Sequence, residues 1–260
     1  MGLNLDAIKA KLNQLNRNDD RRNNLWKPEA GKTRVRIVPY VHRKDNPFLE
    51  LYFHYDLAKR SMLSPVSFGN ADPVVEFAEK LKKTGDKEDW LMGRKIEPKM
   101  RTYVPVIVRG KEAEGVKFWG FGKTIYTELL SIVSDPDYGD ITDLMNGRDI
   151  DVEFIPAEGG GYPKTTIRVK PNTSPATEDK GIAEKIMNQP VITDIFPEPT
   201  YEELENALKA WMNPEDDSAD VDTSSNTTAD TSAKTEEKAE AKTEEKQTDV
   251  ASAFNDLFNK

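Results

Sequence analysis

Cysteine is absent from the 260 residues, and histidine occurs only at His42 and His54. Disulfides, thiolate nucleophiles, iron–sulfur clusters and cysteine-based zinc sites are thereby excluded, and too few imidazoles remain for a multi-histidine catalytic metal centre. No apolar run approaches the ~18 residues of a membrane span. Met1-Gly2-Leu3-Asn4-Leu5-Asp6 lacks the basic start and apolar stretch of a secretory signal. The expectation is a soluble, cytoplasmic protein. Missing too are Gly-x-Ser-x-Gly, a phosphate-binding loop, a paired-histidine zinc helix and a dinucleotide fingerprint, so enzyme signals are weak. Apolar residues reach only 37%, which leaves part of the chain without a core to join.

What is present is charge, unevenly placed. The net charge is -9, yet residues 1–20 balance to zero and residues 21–126 carry 22 basic against 13 acidic side chains. Residues 127–212 carry 7 against 17, and residues 213–260 carry 5 against 13. A basic body with an acidic extension suggests a polyanion partner. The basic section also holds 14 of the 22 aromatic residues. Two readings compete: a solvated basic surface over ordinary core aromatics, or a cleft where cations follow phosphates and rings stack on unpaired bases.

Periodicity predicts the elements. Leu5, Ile8, Leu12 and Leu15 form a narrow stripe on a short helix in residues 1–20, suited to packing on its own core or to self-association. Thr33 to Val38 alternates as a strand, with Arg34 and Arg36 on one face. Phe48 to Tyr55 reads as a second strand. Asp72-Pro73 starts a helix that buries Val74, Phe77, Ala78 and Leu81 and ends at Gly85. Met100 to Arg109 and Val116 to Phe121 read as a strand pair, followed by a helix from Lys123 to Val133 that buries Ile125, Leu129 and Ile132. Asp149 to Phe154 alternates with acids outward. Gly159-Gly160-Gly161 is a hairpin tip rather than a phosphate loop, and Thr165 to Lys170 is its return strand. Thr200 and Glu203 form a capping box before a helix with the stripe Tyr201, Leu204, Leu208 and Trp211. Residues 213–250 contain no aromatic residue and are expected to be disordered. Val250, Phe254, Leu257 and Phe258 then form an apolar tip, which reads either as a peptide for a partner's groove or as a frayed terminus without a role.

The strongest constellation is Lys99-Met100-Arg101-Thr102-Tyr103 beside Lys117-Phe118-Trp119-Gly120-Phe121-Gly122-Lys123. With Arg101, Tyr103, Lys117, Trp119 and Phe121 on adjacent strands, it predicts a stacking platform edged by cations. Each stacked base would contribute ~1–3 kcal/mol. Gly120 and Gly122 would permit close backbone approach, or mark a bulge and a helix lead-in.

The run Gly115 to Ile125 resembles the Lys-Val-Phe-x-x-x-Phe-Gly-Lys-x-Ile stretch of the T-even-type phage single-stranded DNA-binding (helix-destabilising) proteins. Trp26-Lys27 with Arg34 to Pro39 is similar to that family's first core strand. Pro47-Phe48 through His54 is similar to the strand that ends in its zinc-ligand histidine. The N-terminal stripe ending Lys11-Leu12-Asn13 and the acidic tail match in character. The resemblance implies an α+β, mainly β chain. It would have an OB-fold-like core at residues 21–212, peripheral helices, a self-association arm at 1–20 and a disordered acidic tail at 213–260 with its apolar tip at 250–258. It implies sequence-independent coating of single-stranded DNA in phage replication, recombination and repair. Arg34, Arg36, Lys59, Arg60, Lys99, Arg101, Lys117 and Lys123 would lie on phosphates, and Tyr103, Trp119 and Phe121 on bases. Replication and recombination proteins would meet the tail through Phe254, Leu257 and Phe258. No cofactor, metal or catalytic residue is expected. The family's zinc site pairs a histidine with three cysteines; here only His54 remains, and a packed helix carrying Val74, Val75 and Phe77 is expected to replace the metal. The family's basic N-terminal cluster is also missing, which weakens the expectation of cooperativity. Readings of a different class are a magnesium-dependent nucleic-acid enzyme and an acidic-tailed scaffold.

Overall fold

A computed structural model describes residues 23–43, 45–58 and 61–212. The predicted N-terminal helix, Lys59, Arg60 and the acidic segment with its apolar tip lie outside the described residues. The rest is an α+β chain organised around one mixed sheet. In chain order the strands are β1 (Leu25–Trp26), β2 (Gly31–Ile37), β3 (Leu49–His54), β4 (Met62–Leu63), β5 (Lys99–Val108), β6 (Lys117–Phe121), β7 (Arg148–Ile155) and β8 (Lys164–Thr173). The helices are α1 (Pro73–Lys83), α2 (Lys87–Ile96), α3 (Lys123–Ser134), α4 (Lys180–Met187), α5 (Ile192–Ile195) and α6 (Tyr201–Met212). The sheet runs β1-β6-β5-β2-β7-β8, with β3 also paired to β5 and β4 paired to β3. β1 is parallel to β6, whereas β5–β6, β2–β5, β2–β7 and β7–β8 are antiparallel.

The chain divides into two compact units. Among the described residues, one comprises residues 23–52 and 100–198, the other residues 53–99 and 199–212. In the first unit, alternation along β2 sends Val35 and Ile37 to one face and Arg34 and Arg36 to the other, as the pattern predicts. Val35 lies opposite Val108 on β5 and Ile150 on β7, and Ile37 lies opposite Val106. These residues join Val104, Trp119, Phe121 and Val152, with Ile125 and Leu129 of α3 closing that side. The reverse face carries a second apolar cluster of Val38, Ile107, Val116, Ala176 and Ile186, the last from α4. β5 is therefore covered on both sides, and every residue from Thr102 to Val108 is buried. A central strand of this kind reads as a continuous apolar run rather than an alternating one.

The second unit is a helical cluster beside the short β3–β4 pair. Asp72 caps α1 as expected, its carboxylate accepting from the Val74 and Val75 amides at 2.9 and 3.3 Å. Val74, Phe77, Ala78 and Leu81 are all fully buried, against Ile96 of α2 and Leu204 and Leu208 of α6. Gly93 of α2 faces α1 closely: a Cβ there would stand 2.8 Å from the Ala78 carbonyl. The capping box at α6 forms in both directions, Thr200 N donating to Glu203 Oε2 at 2.8 Å and Glu203 N to Thr200 Oγ1 at 3.1 Å. Helix α2 has no counterpart in the sequence pattern, nor have α4, α5 and β4, and Trp26, which the resemblance groups with Arg34 to Pro39 in one strand, lies on the separate short β1.

Candidate nucleic-acid interface

The register of β5 with β6 corrects the expected platform. Tyr103 pairs with Gly120, Val104 with Trp119 and Thr102 with Phe121. Directly opposed residues share a face. Trp119 and Phe121 therefore lie with Val104, whereas Tyr103 and Arg101 lie on the reverse side with Gly120. Trp119 is 1% exposed, and its ring meets Trp26 at 5.6 Å and Phe121 at 4.7 Å between centroids, edge to face. Phe121 is buried, and Tyr103 is buried against Phe196 at 4.9 Å. None of the three rings offers a face to a base. Gly120 does allow close approach, but by a side chain: a Cβ there would come within 2.5 Å of the Tyr103 ring.

The cations expected on phosphates are scattered. Arg36 is 0% exposed and spent internally: its guanidinium donates to Asp149 Oδ1 at 2.9 Å, to the Ser174 carbonyl at 2.8 Å and to Ser174 Oγ at 2.7 Å. Arg109 grips the same Asp149 and donates to the carbonyls of Pro175 and Ala176. The two arginines thus pin the 174–176 segment over the sheet, a structural role that removes Arg36 from the phosphate list. Burial depresses the Arg36 pKa, with Asp149 opposing the effect and Arg109 adding to it. Lys117 pairs with Glu114. Lys99, in the second unit, faces Asp56 at 3.4 Å. Arg101 is exposed and donates to the Gly120 carbonyl at 2.9 Å, and Lys123 is exposed on the first turn of α3.

Arg34 lies in a different setting, which the sequence reading missed. On β2, β7 and β8 the face that carries Arg34 also carries Lys32, Lys164, Arg168 and Lys170. Arg34 lies opposite Asp151, and Asp151 opposite Arg168. Asp151 is the hub. The pattern predicted it outward, yet its side chain is 3% exposed beneath three cations. Arg34 Nε stands 2.9 Å from Oδ1, while Lys32 and Lys170 Nζ stand 3.0 and 2.9 Å from Oδ2. Burial pushes the Asp151 carboxyl up, but Lys170, Arg34 and Lys32 more than reverse this and hold it well below the usual carboxylate range. The same contacts raise Arg34.

One buried carboxylate thus gathers three cations, leaving a net positive cluster whose outer members stay in water. Lys32 and Arg34 are 55% and 48% exposed. Arg168 and Lys164 continue the row toward the β7–β8 tip, both exposed. From Lys170 to Lys164 the row spans roughly 20 Å at the usual strand rise. Asp149, itself paired with Arg36 and Arg109, and Glu153 are the other carboxylates on this face of β7, so positive charge still predominates along the row. The spacing Lys164-x-Thr166-x-Arg168-x-Lys170 is legible as alternation. It was hidden because these residues sit inside a stretch that is acidic on average.

A second polar cluster lies buried in the other unit. His54 Nε2 stands 2.9 Å from Asp72 Oδ2, and Nδ1 stands 2.8 Å from the Ile96 carbonyl. Ser64 donates to the same Asp72 oxygen. The carboxylate sits between the serine and the histidine, and all three are buried, so this is no nucleophile–base pair of the hydrolase kind. Burial raises the Asp72 pKa, but His54, Ser64 and the capped amides outweigh it, for a net depression. Both His54 nitrogens face acceptors, and the cluster ties β3, α1 and α2 together. Among the described residues, no three His, Asp or Glu side chains converge as a metal site, and no helix is long and apolar enough to cross a membrane.

Comparison with protein-family models finds no match, and neither does comparison with curated proteins.

Proposed function

We propose that this chain is a non-enzymatic, sequence-independent single-stranded DNA-binding protein of the T-even phage type, with an OB-like core. It would coat strands during replication, recombination and repair in the bacterial host cytoplasm. The observation that carries the reading is the row Lys32, Arg34, Lys170, Arg168 and Lys164, exposed except for the half-buried Lys170, with Lys32, Arg34 and Lys170 paired to buried Asp151. Cations held in fixed positions attract a polyanion without paying again for side-chain ordering. Neutralising phosphates releases condensed counterions, which makes such binding strong and salt-sensitive. The row supports a polyanion; the sequence resemblance selects single-stranded DNA among polyanions. Protection of coated strands and melting of hairpins would follow by mass action on the unpaired state. In this reading the acidic segment 213–260 serves protein partners through Phe254, Leu257 and Phe258.

Titration of fluorescein-labelled oligo-dT, with and without magnesium, tests the reading. Saturable binding with the strand left intact is expected. Strand cleavage with magnesium, or no binding at low salt, would overturn it.

A further inference from the structure

The β7–β8 hairpin ends in an aromatic residue that the fold does not use. Tyr162 is 95% exposed, the highest value among the large apolar side chains of the described residues. The turn before it is built for projection: Gly159 and Gly160 adopt φ of +58° and +83°, in the left-handed region that favours glycine. Gly161 N donates to the Glu158 carbonyl at 3.0 Å, closing the turn. Tyr162 follows at once, and two residues later Lys164 opens β8, paired with the half-exposed Ile155. A ring held in water at the end of a row of cations fits a ligand that offers both phosphates and flat apolar faces. Unpaired bases offer such faces and a duplex does not. The other rings of this unit expected to stack, Tyr103, Trp119 and Phe121, are buried.

We propose that Tyr162 stacks on a base of single-stranded DNA whose phosphates follow Lys164, Arg168 and Lys170, so that the hairpin tip discriminates single strands from duplex. This rests on the reading of the cationic row as a DNA path and supplies the single-strand preference that the row alone does not.

The test uses the full chain, fluorescein-labelled oligo-dT and a duplex of equal length, each titrated against wild type, Tyr162→Ala and Tyr162→Phe. Tyr162→Ala should bind oligo-dT roughly 5- to 150-fold more weakly, the loss of about one stacked base. Its duplex affinity and melting temperature should stay as in wild type, and Tyr162→Phe should restore oligo-dT binding. Unchanged oligo-dT binding by Tyr162→Ala would overturn the assignment while leaving the cationic row intact. Equal weakening on duplex and single strand would overturn it as well, since the tip would then not discriminate. Failure of the wild type to bind oligo-dT would overturn both this proposal and the reading beneath it.

Discussion

Replacing Trp119 by alanine separates the core seen in the structure from the stacking surface that the sequence suggests. The ring is 1% exposed and packs edge to face on Trp26 and Phe121. Its neighbours Val104 and Val35 lie in the same apolar cluster. Truncating a buried tryptophan costs about 3–5 kcal/mol, from lost transfer free energy and the cavity left behind. The two aromatic contacts place this site toward the upper part of that range. At ~2–4 °C per kcal/mol for a domain of this size, the melting temperature should fall by roughly 6–20 °C. Circular dichroism melting measures the drop. Oligo-dT affinity should be measured well below the variant's transition, where the sheet is still formed, and should change less than about threefold, because the ring touches no surface. A variant that melts like wild type yet loses binding more than tenfold would show that Trp119 faces the ligand, and would refute the burial argument.

Acid titration gives a second prediction. Asp151 and Asp72 both have folded pKa values below the unfolded value, so their stabilisation is complete above the unfolded pKa and is lost as pH falls through the folded one. The melting temperature should be flat from pH 7 to about 5 and fall below about 4, with Asp151→Asn flattening part of that decline; a rise in stability on acidification would contradict both assignments. Gly120→Ala should destabilise the protein, since the new Cβ would meet the Tyr103 ring at 2.5 Å and Arg101 Nε at 3.1 Å. Combining it with Tyr103→Leu should recover part of the loss, and no recovery would mean that the clash is not with that ring.

Much of the fold was legible because local chemistry dictates it. The alternation of β2, the aspartate cap and proline of α1, the capping box of α6 and the triple-glycine turn each specify a backbone on their own. The faces of β5 and β6 were not legible. Their assignment depends on what covers each side of the sheet, and α3 covers one side of β5 while α4 and the 174–176 segment cover the other. Asp149 and Asp151 misled for the same reason. Alternation separates two faces without saying which is solvated, and a carboxylate can be buried once arginines and lysines from distant strands converge on it. The basic row was missed through averaging. Lys164, Arg168 and Lys170 lie in a stretch that sums to strong negative charge, and only the pairing of β7 with β2 and β8 brings them beside Lys32 and Arg34.

The most direct test of the central claim is the salt dependence of oligo-dT binding, compared between wild type and a Lys32→Gln/Arg168→Gln double variant. Wild type should show log affinity falling linearly with log salt, at a slope of about -0.7 per phosphate contacted. Removing the two exposed cations should make that slope shallower by about 1.4, with the fold intact by circular dichroism. An unchanged slope would place the DNA elsewhere on the protein, and absence of salt-sensitive binding by the wild type would contradict the account itself.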